Sequence, residues 1–102
     1  MAAMKYGLNQ TTIDKISRVF SVHPGVEQVI LYGSRAKGNF RNGSDIDLTI
    51  MGKSITHSEL LKIETELDDL LLPYKIDLSL LHQISDEELL DHIRRVGRVF
   101  YP

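Results

Sequence analysis

Two segments of this chain, Ile46-Asp47-Leu48 and Ile76-Asp77-Leu78, set a carboxylate between apolar neighbours in runs that otherwise read as β-strand. Successive side chains of a strand point to opposite faces, so each run has an apolar face and a face owned by its carboxylate. In Ser44-Asp45-Ile46-Asp47-Leu48 a second acid precedes the first by two residues, which puts Asp45 and Asp47 on one face. Standing about 7 Å apart, such groups repel each other and resist burial. If the two runs pair, Asp45, Asp47 and Asp77 converge on one side of a sheet. The chain must accommodate that charge, and a divalent cation is the direct means.

The remaining elements follow from periodicity and punctuation. Asn9-Gln10-Thr11-Thr12 supplies capping residues ahead of Ile13, Ile16, Val19 and Phe20, whose spacing is helical, and Pro24-Gly25 stops that helix. Val26 to Tyr32 is apolar, β-branched and followed by Gly33, which predicts a buried strand. The segment 33–43 is polar and rich in small residues, with room for one helical turn after Gly33. Asp45 to Met51 reads as a second strand and Lys75 to Leu81 as a third. Between them a capping box, Thr56 to Glu59, opens a helix whose stripe is Leu60, Ile63, Leu67, Leu70 and Leu71, closed by Pro73. A second box, Ser85 to Glu88, starts a helix through Leu89, Ile93 and Val96. Val99-Phe100-Tyr101 is an apolar tail that either completes the core as an edge segment or joins an interface. The order α-β-β-α-β-α predicts an α/β (α+β) fold, a small mixed β-sheet of about three strands covered by helices.

Composition sets outer bounds. The 102 residues are expected to form one domain, 1–102, with a single core. A net charge of -2 argues against a general nucleic-acid-binding surface. No cysteine is present, which excludes disulfides, thiolate catalysis and cysteine-based zinc sites and suits a reducing cytoplasm. Met1 to Gly7 lacks the apolar core of a signal peptide, and no apolar run reaches the roughly 18 residues that span a bilayer, so no membrane role is expected.

The carboxylates acquire a chemical context from the loop upstream. Three oxygen donors suit one or two Mg²⁺ ions, which keep coordination positions open for phosphate. Between Glu27 and Asp45 there is no acid, whereas Arg35, Lys37 and Arg41 are all basic. Backbone N–H groups at Gly33 and Ser34 can cradle the phosphates of a nucleotide, with Arg35 and Lys37 neutralising the remaining charge. The plain alternative is a turn-rich loop with solvated cations and a solvated sheet face. Competing motifs fail: Gly52-Lys53-Ser54 lacks the first glycine of a P-loop, and an EF-hand begun at Asp45 would have Ile50 where the turn glycine belongs. His23, His57, His82 and His92 read as surface residues. Arg94, Arg95 and Arg98 suit the negative end of the last helix, with the docking of an acidic partner as the other reading.

These residues together resemble the minimal nucleotidyltransferases (MNT) of the DNA polymerase beta-like nucleotidyltransferase superfamily. The pattern is a strand ending in Gly-Ser, about ten residues, an Asp-x-Asp in a second strand and a third acid in a later one. Here it is carried by Leu31 to Gly38, by Ser44-Asp45-Ile46-Asp47-Leu48 and by Ile76-Asp77-Leu78. The resemblance implies the family's mixed-sheet fold and transfer of a nucleoside monophosphate, with ATP as the nucleotide. It implies that Asp45 and Asp47 ligate Mg²⁺, and that Asp77 completes one metal site and helps deprotonate the attacking hydroxyl. Gly33, Ser34 and Ser44 would hold the triphosphate, with Arg35 and Lys37 as helpers. It further implies a partner: MNT proteins are commonly paired with a HEPN-domain toxin, and some act as antitoxins by attaching AMP to a tyrosine of it. The short chain leaves no lobe for an acceptor, which is expected to come from another chain in a homo- or hetero-oligomer. Two other functions fit the same residues, a non-catalytic module that neutralises its partner stoichiometrically and a transferase acting on an antibiotic-type small molecule.

Overall fold

A computed structural model describes residues 4–102, so the leading part of the Met1 to Gly7 stretch, residues 1–3, lies outside the described residues. The described residues open with a hairpin that the periodicity did not announce: β1 (Met4–Lys5) pairs antiparallel with β2 (Leu8–Asn9). Its two-residue turn needs positive φ at both positions, and Tyr6 (φ 59°) and Gly7 (φ 74°) supply it. Helix α1 (Gln10–Ser21) follows at once, capped by Asn9, whose side chain accepts the Thr12 N–H at 2.8 Å. Its stripe Ile13, Ile16 and Phe20 is buried as the spacing requires.

The main sheet has four strands, one more than expected, in the order β5-β4-β3-β6. Strand β3 (Gln28–Tyr32) lies antiparallel to both β4 (Ile46–Met51) and β6 (Arg98–Tyr101), whereas β4 and β5 (Ile76–Leu80) are parallel. A parallel pair needs a crossover, and α3 (His57–Asp68) provides it. The extra strand β6 is the apolar tail: Phe100 enters the core and Tyr101 tilts against Phe20, ring centroids 6.0 Å apart. A five-residue helix, α2 (Gly33–Lys37), joins β3 to β4. A 3-10 turn (Leu81–Gln83) then leads to α4 (Glu87–Val96).

One face of the sheet (Val29, Leu31, Ile46, Leu48, Ile50, Leu78 and Leu80) packs with the stripes of α1 and α3 into one apolar core. The caps differ in detail from the expected boxes. Thr56 accepts the Glu59 N–H at 3.2 Å as read, but the last helix is capped by Asp86, which accepts from Glu88 and Leu89, and not by Ser85. An aspartate with two amides in reach displaces the hydroxyl beside it. Leu71 also leaves the expected stripe. The third helix ends at Asp68, ahead of Pro73, and Leu71 turns the chain at φ 55° with 88 % of its surface exposed. No helix among the described residues is long and apolar enough to cross a membrane.

Candidate functional site

Sheet register assembles the site. Tyr32 pairs with Asp47, and Asp47 pairs with Asp77, so the three form a row across β3, β4 and β5. Strand alternation puts that row on the face opposite the core residues Leu31, Leu48 and Leu78. Asp47 is half-buried and Asp77 exposed, while Asp45 stands exposed just ahead of β4. Behind the row, Thr49 is fully buried and its hydroxyl accepts from Ser79 Oγ at 2.9 Å.

The electrostatics of the row are unbalanced. Burial raises the pKa of Asp47 above the ordinary carboxylate range, and the negative charges of Asp77 and Asp45 push it further, with only the protonated form of His92 pulling the other way. Burial likewise raises the Tyr32 phenol, with Asp77 and Asp47 adding to the shift and the Ser79 side chain opposing it. Among the described residues no ion pair involves Asp45, Asp47 or Asp77. Carboxylates that crowd one another without a cation are a chemically sound donor set for a hard divalent ion. They are not a closed one. No three His, Asp or Glu side chains among the described residues lie close enough to hold a metal ion, so the expected triad is only in part assembled. Asp45 precedes the first paired residue of β4, Ile46, and lacks the register that locks Asp47 to Asp77.

Gly33 follows this row directly. Its φ of 76° is left-handed, which strains any side chain, and a Cβ here would meet Asp47 Oδ2 and displace that carboxylate. Gly33 N–H donates to His92 Nε2 at 3.0 Å, across 59 positions of sequence, and the His92 ring meets Tyr32 edge-on. Ser34 is half-buried, and Lys37 is exposed on the last turn of α2, which Gly38 ends in a left-handed cap.

Two residues expected at the phosphates stand elsewhere. Arg35 is only 2 % exposed and points inward. Its guanidinium donates to the carbonyls of Ser44 (2.9 and 3.1 Å), Tyr6 (2.9 Å) and Asn42 (3.4 Å), flanked by the rings of Phe40 and Tyr74. With its donors spent on backbone carbonyls, it is a strut for the loop that carries Asp45. Ser44 is part of the same brace, its Oγ accepting the Arg41 N–H at 2.8 Å. Two histidines also depart from the surface reading. His23 is buried at the end of α1, with Nε2 at 2.9 Å from Glu66 and Nδ1 at 3.4 Å from Glu59, and so ties α1 to α3. His92 belongs to the site, as does Tyr32. The legible signal for His92 was its place on the stripe Leu89, His92, Val96 of the last helix.

A cleft of about 370 Å³ runs between the end of α3 and β5, lined by Glu64, Asp68, Tyr74, Lys75 and Asp77 among others. It touches the row only at Asp77; Gly33, Ser34 and Asp47 do not line it.

A strand ending at a glycine that carries no Cβ against an aspartate, with a second aspartate in register beyond, is now defined in three dimensions. Residues 14–102 match the family model described as polymerase beta, nucleotidyltransferase. The chain belongs to that family. The fold of this nucleotidyltransferase domain recurs in solved structures. A toxin-antitoxin crystal structure with AMP-PNP superimposes with a TM-score of 0.69 at 22% identity, covering 92% of this chain and 73% of that one. A tri-AMPylated Shewanella oneidensis HEPN toxin in complex with its MNT antitoxin gives 0.66 at 18% identity, covering 90% and 71%. The toxin-antitoxin MntA-HepT gives 0.67 at 18%, covering 91% and 72%. At these identities the likeness is one of fold. No curated protein matches the sequence.

Proposed function

We propose that this domain is a Mg²⁺-dependent nucleotidyltransferase that moves AMP from ATP to a hydroxyl, most specifically a tyrosine of a HEPN-domain toxin, and thereby acts as an antitoxin in the cytoplasm. The observation that carries the reading is the in-register pair Asp47 and Asp77, with Gly33 at left-handed φ packed against the Asp47 carboxylate. Family membership supplies the reaction class. The AMP-PNP complex and the tri-AMPylated HEPN toxin among the structural neighbours support the nucleotide and the acceptor.

In this mechanism Asp47 and Asp77 would hold Mg²⁺, and Asp45 would have to close in from the exposed head of β4 to add a third oxygen donor. The ion would offset the charge that builds on the attacking and leaving oxygens of an in-line displacement at phosphorus. Ser34 and the free backbone amides at the start of α2 position the triphosphate, and Lys37 neutralises part of its charge. Asp77, the most open carboxylate of the paired row, accepts the proton of the attacking hydroxyl. The hydroxyl oxygen bonds to the α-phosphorus, the bond to the bridging oxygen breaks, and pyrophosphate leaves. Positioning and charge stabilisation supply most of the acceleration.

The test is transfer of label from α-labelled ATP, with Mg²⁺, to a purified HEPN-domain toxin. Wild type should transfer label to a tyrosine, and Asp47→Asn with Asp77→Asn should lose transfer by about 10³-fold or more, the scale of a removed electrostatic stabiliser. Should label never move while an Asp45→Asn, Asp47→Asn double variant still neutralises the toxin, the catalytic reading fails and stoichiometric binding takes its place.

A further inference from the structure

We propose that His92 is a positioning residue of the nucleotide site, holding the backbone at Gly33 so that Ser34, and not the Gly33 N–H, meets the phosphates. The inference rests on the nucleotidyltransferase reading above and assigns a task to a residue outside the family's acidic and Gly-Ser motif. Gly33 sits at φ 76°, and its N–H is already spent on His92 Nε2 at 3.0 Å. That bond requires an imidazole that is neutral, with its proton on Nδ1. The ring is held from the side by Tyr32, edge-on at 82° with centroids 6.2 Å apart, and Tyr32 is itself only 8 % exposed. His92 thus grips the two residues at the junction of β3 and α2 at once, Tyr32 through its ring and Gly33 through its nitrogen.

The consequence is a division of labour at the Gly-Ser step. What Gly33 contributes to the site is the missing Cβ that lets the chain pass Asp47; its N–H faces α4. Without an acceptor at position 92 that amide is freed, and the peptide joining Tyr32 to Gly33 gains a rotation that the left-handed glycine does not resist. Ser34, the next residue, then loses its fixed direction toward a nucleotide.

His92→Ala, His92→Gln and His92→Phe separate the roles. Glutamine keeps an acceptor of similar reach, and phenylalanine keeps the contact with Tyr32 but accepts nothing. With Mg²⁺-ATP as the probe, His92→Ala and His92→Phe should raise KM and the calorimetric Kd about tenfold while kcat changes less than about threefold, a loss of ~1.4 kcal/mol in binding. His92→Gln should restore both constants to within about threefold of wild type. Independently of activity, the Gly33 amide should be protected from hydrogen exchange in wild type and in His92→Gln and should lose protection in His92→Ala. Unchanged KM and unchanged Gly33 protection in a folded His92→Ala protein would overturn the role of His92 while the nucleotidyltransferase reading stands. A wild-type chain that neither binds Mg²⁺-ATP nor transfers label overturns both.

Discussion

At the scale of single residues, the site is held at a cost to the fold. Asp47 is half-buried among negative charges, and its pKa is raised in the folded protein. A carboxylate so shifted destabilises the folded state wherever it is ionised, and that penalty disappears as pH falls through the folded pKa. Asp47→Asn should therefore unfold at a higher temperature than wild type at pH 7. The difference should shrink as pH is lowered toward the unfolded carboxylate pKa of about 4, measurable by thermal melts across that range. A variant that melts lower than wild type at neutral pH would show that Asp47 has a stabilising partner. Leu71, fully turned to solvent at positive φ, is a second local departure from the lowest-energy choice.

At the scale of elements, Arg35 joins parts that have no sheet or helix contact to align them. One guanidinium binds the β1–β2 turn at Tyr6 and the loop before β4 at Asn42 and Ser44, while Phe40 and Tyr74 enclose it. The planar fork of donors is what the arrangement uses, and lysine cannot reproduce it. Arg35→Lys should cost about 2–3 kcal/mol in chemical denaturation, since bonds to a charged donor are lost and carbonyls are left unpaired in the interior. Loosening Ser44 should also weaken Mg²⁺-ATP binding, because Asp45 is the next residue. An unchanged denaturation midpoint would remove Arg35 from its role as strut. The same residue marks how far the sequence could be read. Arg35 beside Gly33-Ser34 looked like a phosphate ligand, as any arginine in a basic loop does. Its burial depends on Tyr6, Phe40 and Tyr74, which come from three separate places in the chain. His23 and His92 escaped for the same reason, since their partners lie 43 and 59 positions away. The strands and helices were more legible because their signals are local: alternation, i to i+3 spacing, caps and Pro-Gly stops.

At the scale of the whole molecule, the sheet separates stability from function. One face carries the core with α1 and α3, and the other carries the Tyr32, Asp47, Asp77 row. A cation and nucleotide bound on the second face would neutralise the row without disturbing the first. Mg²⁺-ATP at 100 times its Kd should therefore stabilise the domain by about 2.7 kcal/mol through mass action alone. The rise in melting temperature should vanish in an Asp45→Asn, Asp47→Asn protein and should be absent with Mg²⁺-free ADP-ribose as a control. Equal stabilisation of that double variant would place the nucleotide elsewhere, with the 370 Å³ cleft beside Asp77 the first location to examine.

The sequence by itself determined that carboxylates would share a sheet face beside a glycine loop, because alternation along a strand is a property of the backbone and needs no partner. Only the tertiary structure decided which of them stand together. Parallel pairing of β4 with β5 sets Asp47 beside Asp77, and Asp45 falls outside the register. Tertiary structure alone also turned Arg35 inward, brought His92 to Gly33 and made the tail a fourth strand. Each of these is a long-range choice between groups whose local sequence permits either outcome.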